Sequence, residues 1–116
     1  MPYIKIQTNH PVDEDLREKL LLGVSSLAAG ILGKPERYVM TAMEDRVPMT
    51  FAGKTDPCAF IECKSIGLPE SKTRDLSSGL TGLVTEELDI LPDRVYIEFA
   101  DAKGSMWGWD GGTFGA

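Results

Sequence analysis

Pro92-Asp93-Arg94-Val95-Tyr96-Ile97 is the stretch on which the fold of this chain turns, because Pro35-Glu36-Arg37-Tyr38-Val39-Met40 has the same plan. Each opens on a proline, carries an acidic residue and then an arginine, and passes into an apolar run containing a tyrosine. The echo continues upstream. Residues 3–8 and 58–66 are strand-like runs, and Pro11 and Pro69 follow them, each near the start of an amphipathic stretch. Leu16, Leu20, Val24, Leu27 and Ile31 recur at spacings of three and four, the period of a helix buried along one face. Leu76, Leu80, Leu83, Val84 and Leu88 make a second such stripe. Asp13, Glu14 and Asp15 stand where a helix N-terminus favours negative charge, and Gly33 where a helix stops. Pro69 and Glu70 mark the start of the second helix. Strands are expected at about 38–44 and 95–101, with a loop over 45–57, where two prolines and a glycine fall.

Two halves on one plan, strand–helix–strand each, define an α+β fold. Parallel strands joined through a helix cross over right-handedly. Two such units related by a twofold make one four-stranded mixed sheet with both helices on one face. The chain reads as a single domain, 1–116, with repeats at about 2–45 and 57–101 and a C-terminal tail, 102–116. In the last strand Val95, Ile97 and Phe99 alternate with Tyr96, Glu98 and Ala100; in the second, Tyr38, Met40 and Ala42 alternate with Val39, Thr41 and Met43. Strands apolar on both sides are expected to be covered on both sides. One chain has helices for one face only, so a second subunit is expected on the other.

Composition narrows the function. Of 116 residues, 42% are apolar and 26% charged, and the formal net charge is −6, which argues against a nucleic-acid partner. No apolar run has the length of a membrane span, and no basic-then-apolar leader opens the sequence. A cytoplasmic protein is the expectation, with leaderless secretion left open. Cys58 and Cys63 lie an odd number of residues apart in one strand, hence on opposite faces, and read as two buried thiols. With His10 the only histidine, no metal site is expected. Gly53-Lys54-Thr55 imitates the end of a phosphate-binding loop, but the upstream glycine that motif needs is Pro48. Pro2 is an odd opening for a strand, since it has no N–H to donate. It makes sense as the first residue of the mature chain, carrying a free amine.

Together these segments resemble the macrophage migration inhibitory factor family of the tautomerase superfamily. The likeness rests on Pro2, Thr8-Asn9, Gly33-Lys34-Pro35 with Tyr38, Phe51-Ala52-Gly53, Pro57-Cys58-Ala59, Ser65-Ile66-Gly67, Pro92 to Ile97, Gly108-Trp109 and Thr113-Phe114. It runs almost end to end. The resemblance implies a homotrimer whose sheets wrap a central barrel, with the tail at the interface and a pocket at each subunit boundary. It implies that Pro2, exposed by loss of Met1, is the catalytic base of a keto–enol tautomerase acting on phenylpyruvate, with dopachrome-type isomerisation as a related activity. Lys34 would bind the carboxylate or the carbonyl oxygen of an aromatic α-keto acid, and the Ile66 N–H the other end of the carboxylate, with Ser65 beside them. Tyr96 would reach in from the neighbouring subunit. Tyr38, Trp107, Trp109 and Phe114 would be aromatic walls. No cofactor is implied. Taken without the family, Lys34 is a helix-end charge and Tyr96 a buried tyrosine.

Several positions depart from the family pattern. Cys58-Ala59-Phe60-Ile61 lacks the second thiol of a Cys-x-x-Cys. Glu98 replaces a neutral asparagine on the pocket wall and would oppose an anionic substrate. Leu68 replaces a lysine near the pocket, and Trp107 a small aliphatic residue. A weakened tautomerase is the expectation. The alternative is a receptor-binding protein that mimics a cytokine, its tautomerase activity vestigial, although Arg46 stands where the cytokine's receptor motif has an aspartate. Dehalogenation or hydration of unsaturated acids would need arginine clamps, and Arg37 and Arg94 fall in turns instead.

Overall fold

The computed structural model describes residues 1–115; Ala116, the last residue of the expected tail, lies outside them. The chain runs β1 (Tyr3–Thr8), α1 (Glu14–Leu32), β2 (Met40–Glu44), β3 (Ala59–Ile66), α2 (Thr73–Leu88) and β4 (Val95–Ala102), then a short hairpin, β5 (Gly108–Trp109) and β6 (Gly112–Thr113). The sheet order is β2-β1-β3-β4. Each outer strand is parallel to its inner neighbour, and the two inner strands are antiparallel, with Tyr3 opposite Lys64. This is the α+β architecture expected from the two halves.

Helix boundaries follow from caps. The Asp13 carboxylate accepts the Leu16 N–H at 2.8 Å and starts α1. Gly33, at φ 64°, closes it in the left-handed region that glycine enters without strain. Two expected boundaries are displaced. Tyr38 belongs to a 3₁₀ turn, Glu36–Tyr38, so β2 starts only at Met40. Glu70 belongs to another, Glu70–Lys72, so α2 starts at Thr73 rather than at Pro69. In both, a proline in extended conformation bends the chain into one tight turn first, as the Tyr38 N–H donating to the Pro35 carbonyl at 3.1 Å shows. Pro92–Arg94 makes the same turn before β4, which explains why the two proline stretches echo one another.

Ile4, Ile6, Ile61 and Cys63 face the helices and are wholly buried against Leu20, Val24, Leu76, Leu80 and Val84. The helices meet reciprocally. A Cβ on Gly79 would lie 2.8 Å from a Leu27 methyl, and one on Gly23 would lie 3.8 Å from a Leu83 methyl. Each helix thus accepts a leucine of the other at a glycine. The opposite face of the sheet is less apolar than expected. Met40 and Tyr96 are 65% and 63% exposed there. Among them, however, Lys5 pairs with Glu44 at 2.7 Å, and Glu62, Lys64 and Glu98 occupy the alternate positions of β3 and β4. The face is mixed because both inner strands carry charged residues at their outward positions.

Two charged side chains hold the connection from β2 to β3, beside the Val47 N–H donating to the Thr8 carbonyl at 3.0 Å and the Asn9 amide donating to the carbonyls of Thr55 at 3.1 Å and Asp56 at 3.3 Å. The Asp45 carboxylate accepts the Val12 N–H at 2.9 Å and pairs with Arg17 at 3.2 Å and Arg46 at 3.1 Å. The Val12 N–H above all, then the two guanidinium groups, hold that carboxyl below its ordinary range. Further on, Arg94 donates to the carbonyls of Phe51 at 3.2 Å, Lys54 at 3.4 Å, Asp56 at 3.0 Å and Pro57 at 3.0 Å. Between these points Phe51 and Lys54 bridge a turn whose central residues, Ala52 and Gly53, have φ 55° and 71°. Alanine there is strained, whereas asparagine tolerates the left-handed region. Ala52→Asn is expected to raise stability by about 1 kcal/mol, read as a higher urea midpoint; a lower midpoint would contradict the strain.

Candidate functional site

The antiparallel pairing of β1 with β3 brings the N-terminus alongside Ser65 and Ile66. The Pro2 side chain is fully buried, and its carbonyl accepts the Met40 N–H at 3.0 Å. Lys34 follows the glycine cap of α1, its own N–H donating to the Ala29 carbonyl at 3.1 Å. From there its Nζ donates to the Ile66 carbonyl at 3.3 Å, and the buried Ser65 Oγ donates to the same oxygen at 3.4 Å. The Gly67 N–H points to β4, donating to Ala102 at 3.3 Å. Alternation along the strand therefore turns the Ile66 N–H the other way, towards β1 and the N-terminus. The Met1 amine has its pKa lowered, first by burial and then by the nearby Lys34. An amine at this place is partly dry and faces a cation.

An aromatic cluster forms on Tyr38, in the turn between Lys34 and Met40. The Tyr38 ring meets Trp109 edge-on at 5.8 Å and Phe114 at 6.3 Å, and the latter two stack at 5.4 Å. The tail supplies both partners by folding back. Phe114 N–H donates to the Trp107 carbonyl, and Trp107 N–H to the Gly104 carbonyl, each at 3.2 Å. Trp107 thus joins the site through its backbone, as the root of the hairpin. Gly104 and Gly115 let the two ends of the tail touch, since a Cβ on Gly115 would lie 2.5 Å from the Ser105 nitrogen.

Tyr96 and Glu98 are elsewhere. Tyr96 sits at the start of β4 opposite Phe60, which pairs with Gln7 near the far end of β1 from Pro2. Six residues of strand separate Tyr96 from the Ala102 end, about 20 Å. There Tyr96 packs on Phe51 at 4.6 Å and lines a pocket of about 400 Å³ with Gln7, Met49, Cys58 and Phe60. The structure therefore brings Pro2, Lys34, Ser65 and Ile66 to one end of the sheet, joins Tyr38, Trp109 and Phe114 in an aromatic cluster with Trp107 at its root, and sets Tyr96 and Glu98 apart within one chain. Tyr96 is exposed rather than buried. Leu68 packs into the core at 8% exposure.

Phe51 and Arg94 form a pair that the sequence does not announce. The guanidinium lies 5.3 Å from the Phe51 ring and binds the Phe51 carbonyl, so it positions the aromatic partner of Tyr96. An arginine just before a strand gives no sign of reaching back across a loop. Both cysteines are free and buried, and burial pushes the Cys63 thiol up to about 11. Among the described residues no three His, Cys, Asp or Glu side chains come together as metal ligands would.

Two strand–helix–strand units, with the N-terminal nitrogen and a lysine at one end of their shared sheet and an exposed tyrosine at the other, define a subunit of the tautomerase superfamily. The family model described as "Macrophage migration inhibitory factor (MIF)" matches residues 1–115. A macrophage migration inhibitory factor homolog of Brugia malayi is 39% identical over 116 residues, 99% of this chain and 100% of that one. The macrophage migration inhibitory factor of Meriones unguiculatus is 36% identical over 115 residues, 98% of this chain and 99% of that one. A crystal structure of a homologue from Prochlorococcus marinus superposes with a TM-score of 0.93 at 46% identity, covering 97% of this chain and 99% of that one. The chain belongs to the macrophage migration inhibitory factor family. Members of this family are typically homo-oligomers, with trimer assembly typical. No helix among the described residues is long and apolar enough to cross a membrane.

The tail's closure is open to test. A methyl group on Gly115 meets backbone, which has no rotamer to yield. Gly115→Ala is expected to unseat the hairpin, seen as a red shift of tryptophan emission; an unshifted maximum would mean the tail closes by other contacts.

Proposed function

We propose that the protein is a keto–enol tautomerase of aromatic α-keto acids, phenylpyruvate among them, with the Pro2 amine as general base once Met1 is removed. The observation that carries this reading is the chain's amino end, partly desolvated beside Lys34 and against the Ile66 N–H. Both burial and the cation keep an amine neutral, and only a neutral amine accepts a proton. Its ordinary range is about 7.7–8.0.

The reaction then proceeds as follows. The substrate carboxylate lies against Lys34 and the Ile66 N–H, and the ring against Tyr38, Trp109 and Phe114. The Pro2 nitrogen takes a proton from the carbon beside the carbonyl. The C–H electron pair forms the carbon–carbon double bond, and the carbonyl π pair moves to oxygen. Lys34 stabilises the enolate, and Tyr96 of a neighbouring copy donates a proton to its oxygen. Within one chain Tyr96 stands at the wrong end of the sheet, so this reading requires an oligomer. We take it to be a homotrimer around a central barrel, with the tail at the interface. Glu98 would come with Tyr96 and weaken the hold on an anion. Receptor binding is the second reading, favoured by the names of the relatives; it predicts that blocking the Pro2 amine leaves binding intact.

An intact mass lacking Met1, paired with a phenylpyruvate assay, tests the first reading. Acylating or replacing Pro2 is expected to lower kcat/KM by about a hundredfold or more, as loss of a general base does. Equal rates would end the proposal. Because the base works unprotonated, activity falls as pH drops through its pKa. The acid limb of kcat/KM is expected below the ordinary amine range. Lys34→Ala should move that limb to higher pH, since one cause of the depression is gone; a limb that stays or moves down would contradict this.

A further inference from the structure

Two arginines follow the prolines of the two echoing stretches, and the structure uses them differently. Arg94 spends its donors on the four loop carbonyls described above. Arg37 does not. Its Cζ lies 4.8 Å from the centre of the Tyr38 ring, and among the described residues its guanidinium has no carboxylate or carbonyl partner. The adjacent carboxylate, Glu36, is drawn off to accept the Ser25 hydroxyl at 3.0 Å on the α1 side. So an exposed guanidinium with unspent N–H groups rests on Tyr38, the ring that meets Trp109 and Phe114.

We propose that Arg37 is a specificity-determining residue at the mouth of this site, selecting aromatic acids that carry a second anionic group at the far end of the ring. The proposal rests on the site reading above and adds a substrate class to it. Lys34 is half-buried and Arg37 exposed, and the two flank the turn that carries Tyr38. The proposal places a flat ring between them, one carboxylate at Lys34 and the opposite substituent at the more exposed Arg37. A planar guanidinium already held over a ring loses little freedom when it binds a carboxylate in the fork geometry that suits it. The net charge of −6 makes this attraction local rather than general.

Cinnamate and 4-carboxycinnamate separate this from the reaction, because neither has an acidic C–H beside a ketone carbonyl for the proposed base to remove. Binding of each to the full chain is read from the indole N–H NMR signals of Trp107 and Trp109. The 4-carboxylate is expected to bind about fivefold more tightly, the value of a well-formed exposed ion pair, with the preference shrinking as salt is added. In Arg37→Ala the two affinities should converge, and in Arg37→Lys part of the preference should return. Equal affinities in the parent chain, or a preference that survives Arg37→Ala, would overturn the proposal. If neither acid binds, this proposal and the site reading fall together. An Arg37-dependent preference in a chain that does not enolise phenylpyruvate supports the specificity role and removes only the proposed reaction.

Discussion

The antiparallel ladder between β1 and β3 is the constraint on which the rest depends. Because Tyr3 stands opposite Lys64, the first residues of the chain lie beside Ser65 and Ile66, and both halves contribute to one end of the sheet. The parallel pairings then settle the remainder. β2 takes its place against β1 through the Met40 N–H and the Pro2 carbonyl, and β4 runs with β3, so that its start lies at the opposite end. One register fixes both what the N-terminus meets and what it is kept from. A slip of one residue would turn Ile4 and Ile6 out of the core and Lys5 into it.

The helical stripes, the halved plan and the sheet were legible because each is written in short-range periodicity. Leu20, Val24, Leu76 and Leu80 are where the spacing placed them. Boundaries at prolines were less legible, since a proline ahead of Tyr38 or of Thr73 marks a turn or a first helical residue equally well. The burial of Leu68 was illegible for a related reason: position near a motif says nothing of the face a side chain takes. The grouping of Pro2, Lys34 and Ile66 has no local signature at all. It arises from strand pairing between residues far apart in sequence. Only the family likeness made it visible beforehand.

The open sheet face has a physical tension of its own. Large exposed side chains such as Met40 and Tyr96 call for cover, while Lys5, Glu44, Glu62 and Glu98 call for solvent or for partners. A surface of that composition suits contacts that bury its apolar edges and leave a wet middle. Sealing by a plain hydrophobic layer would strand the charges. The same tension sets the two arginines apart, one consumed in holding a loop and the other left outward on an aromatic ring.

The two charged fastenings of the 45–57 connection differ in chemistry. Asp45 holds through a carboxylate whose folded pKa is depressed, so its contribution is complete above the ordinary carboxylate value and disappears as pH falls through the lower one. Arg94 holds through donations to four backbone carbonyls, none of which has a proton to gain as a carboxylate does. Strong acid therefore unbuttons this segment from one side only. The stretch around Pro48 and Met49, left with the Val47 N–H on the Thr8 carbonyl, would loosen while the Phe51–Pro57 corner stayed pinned, a one-sided flap hinged at an arginine.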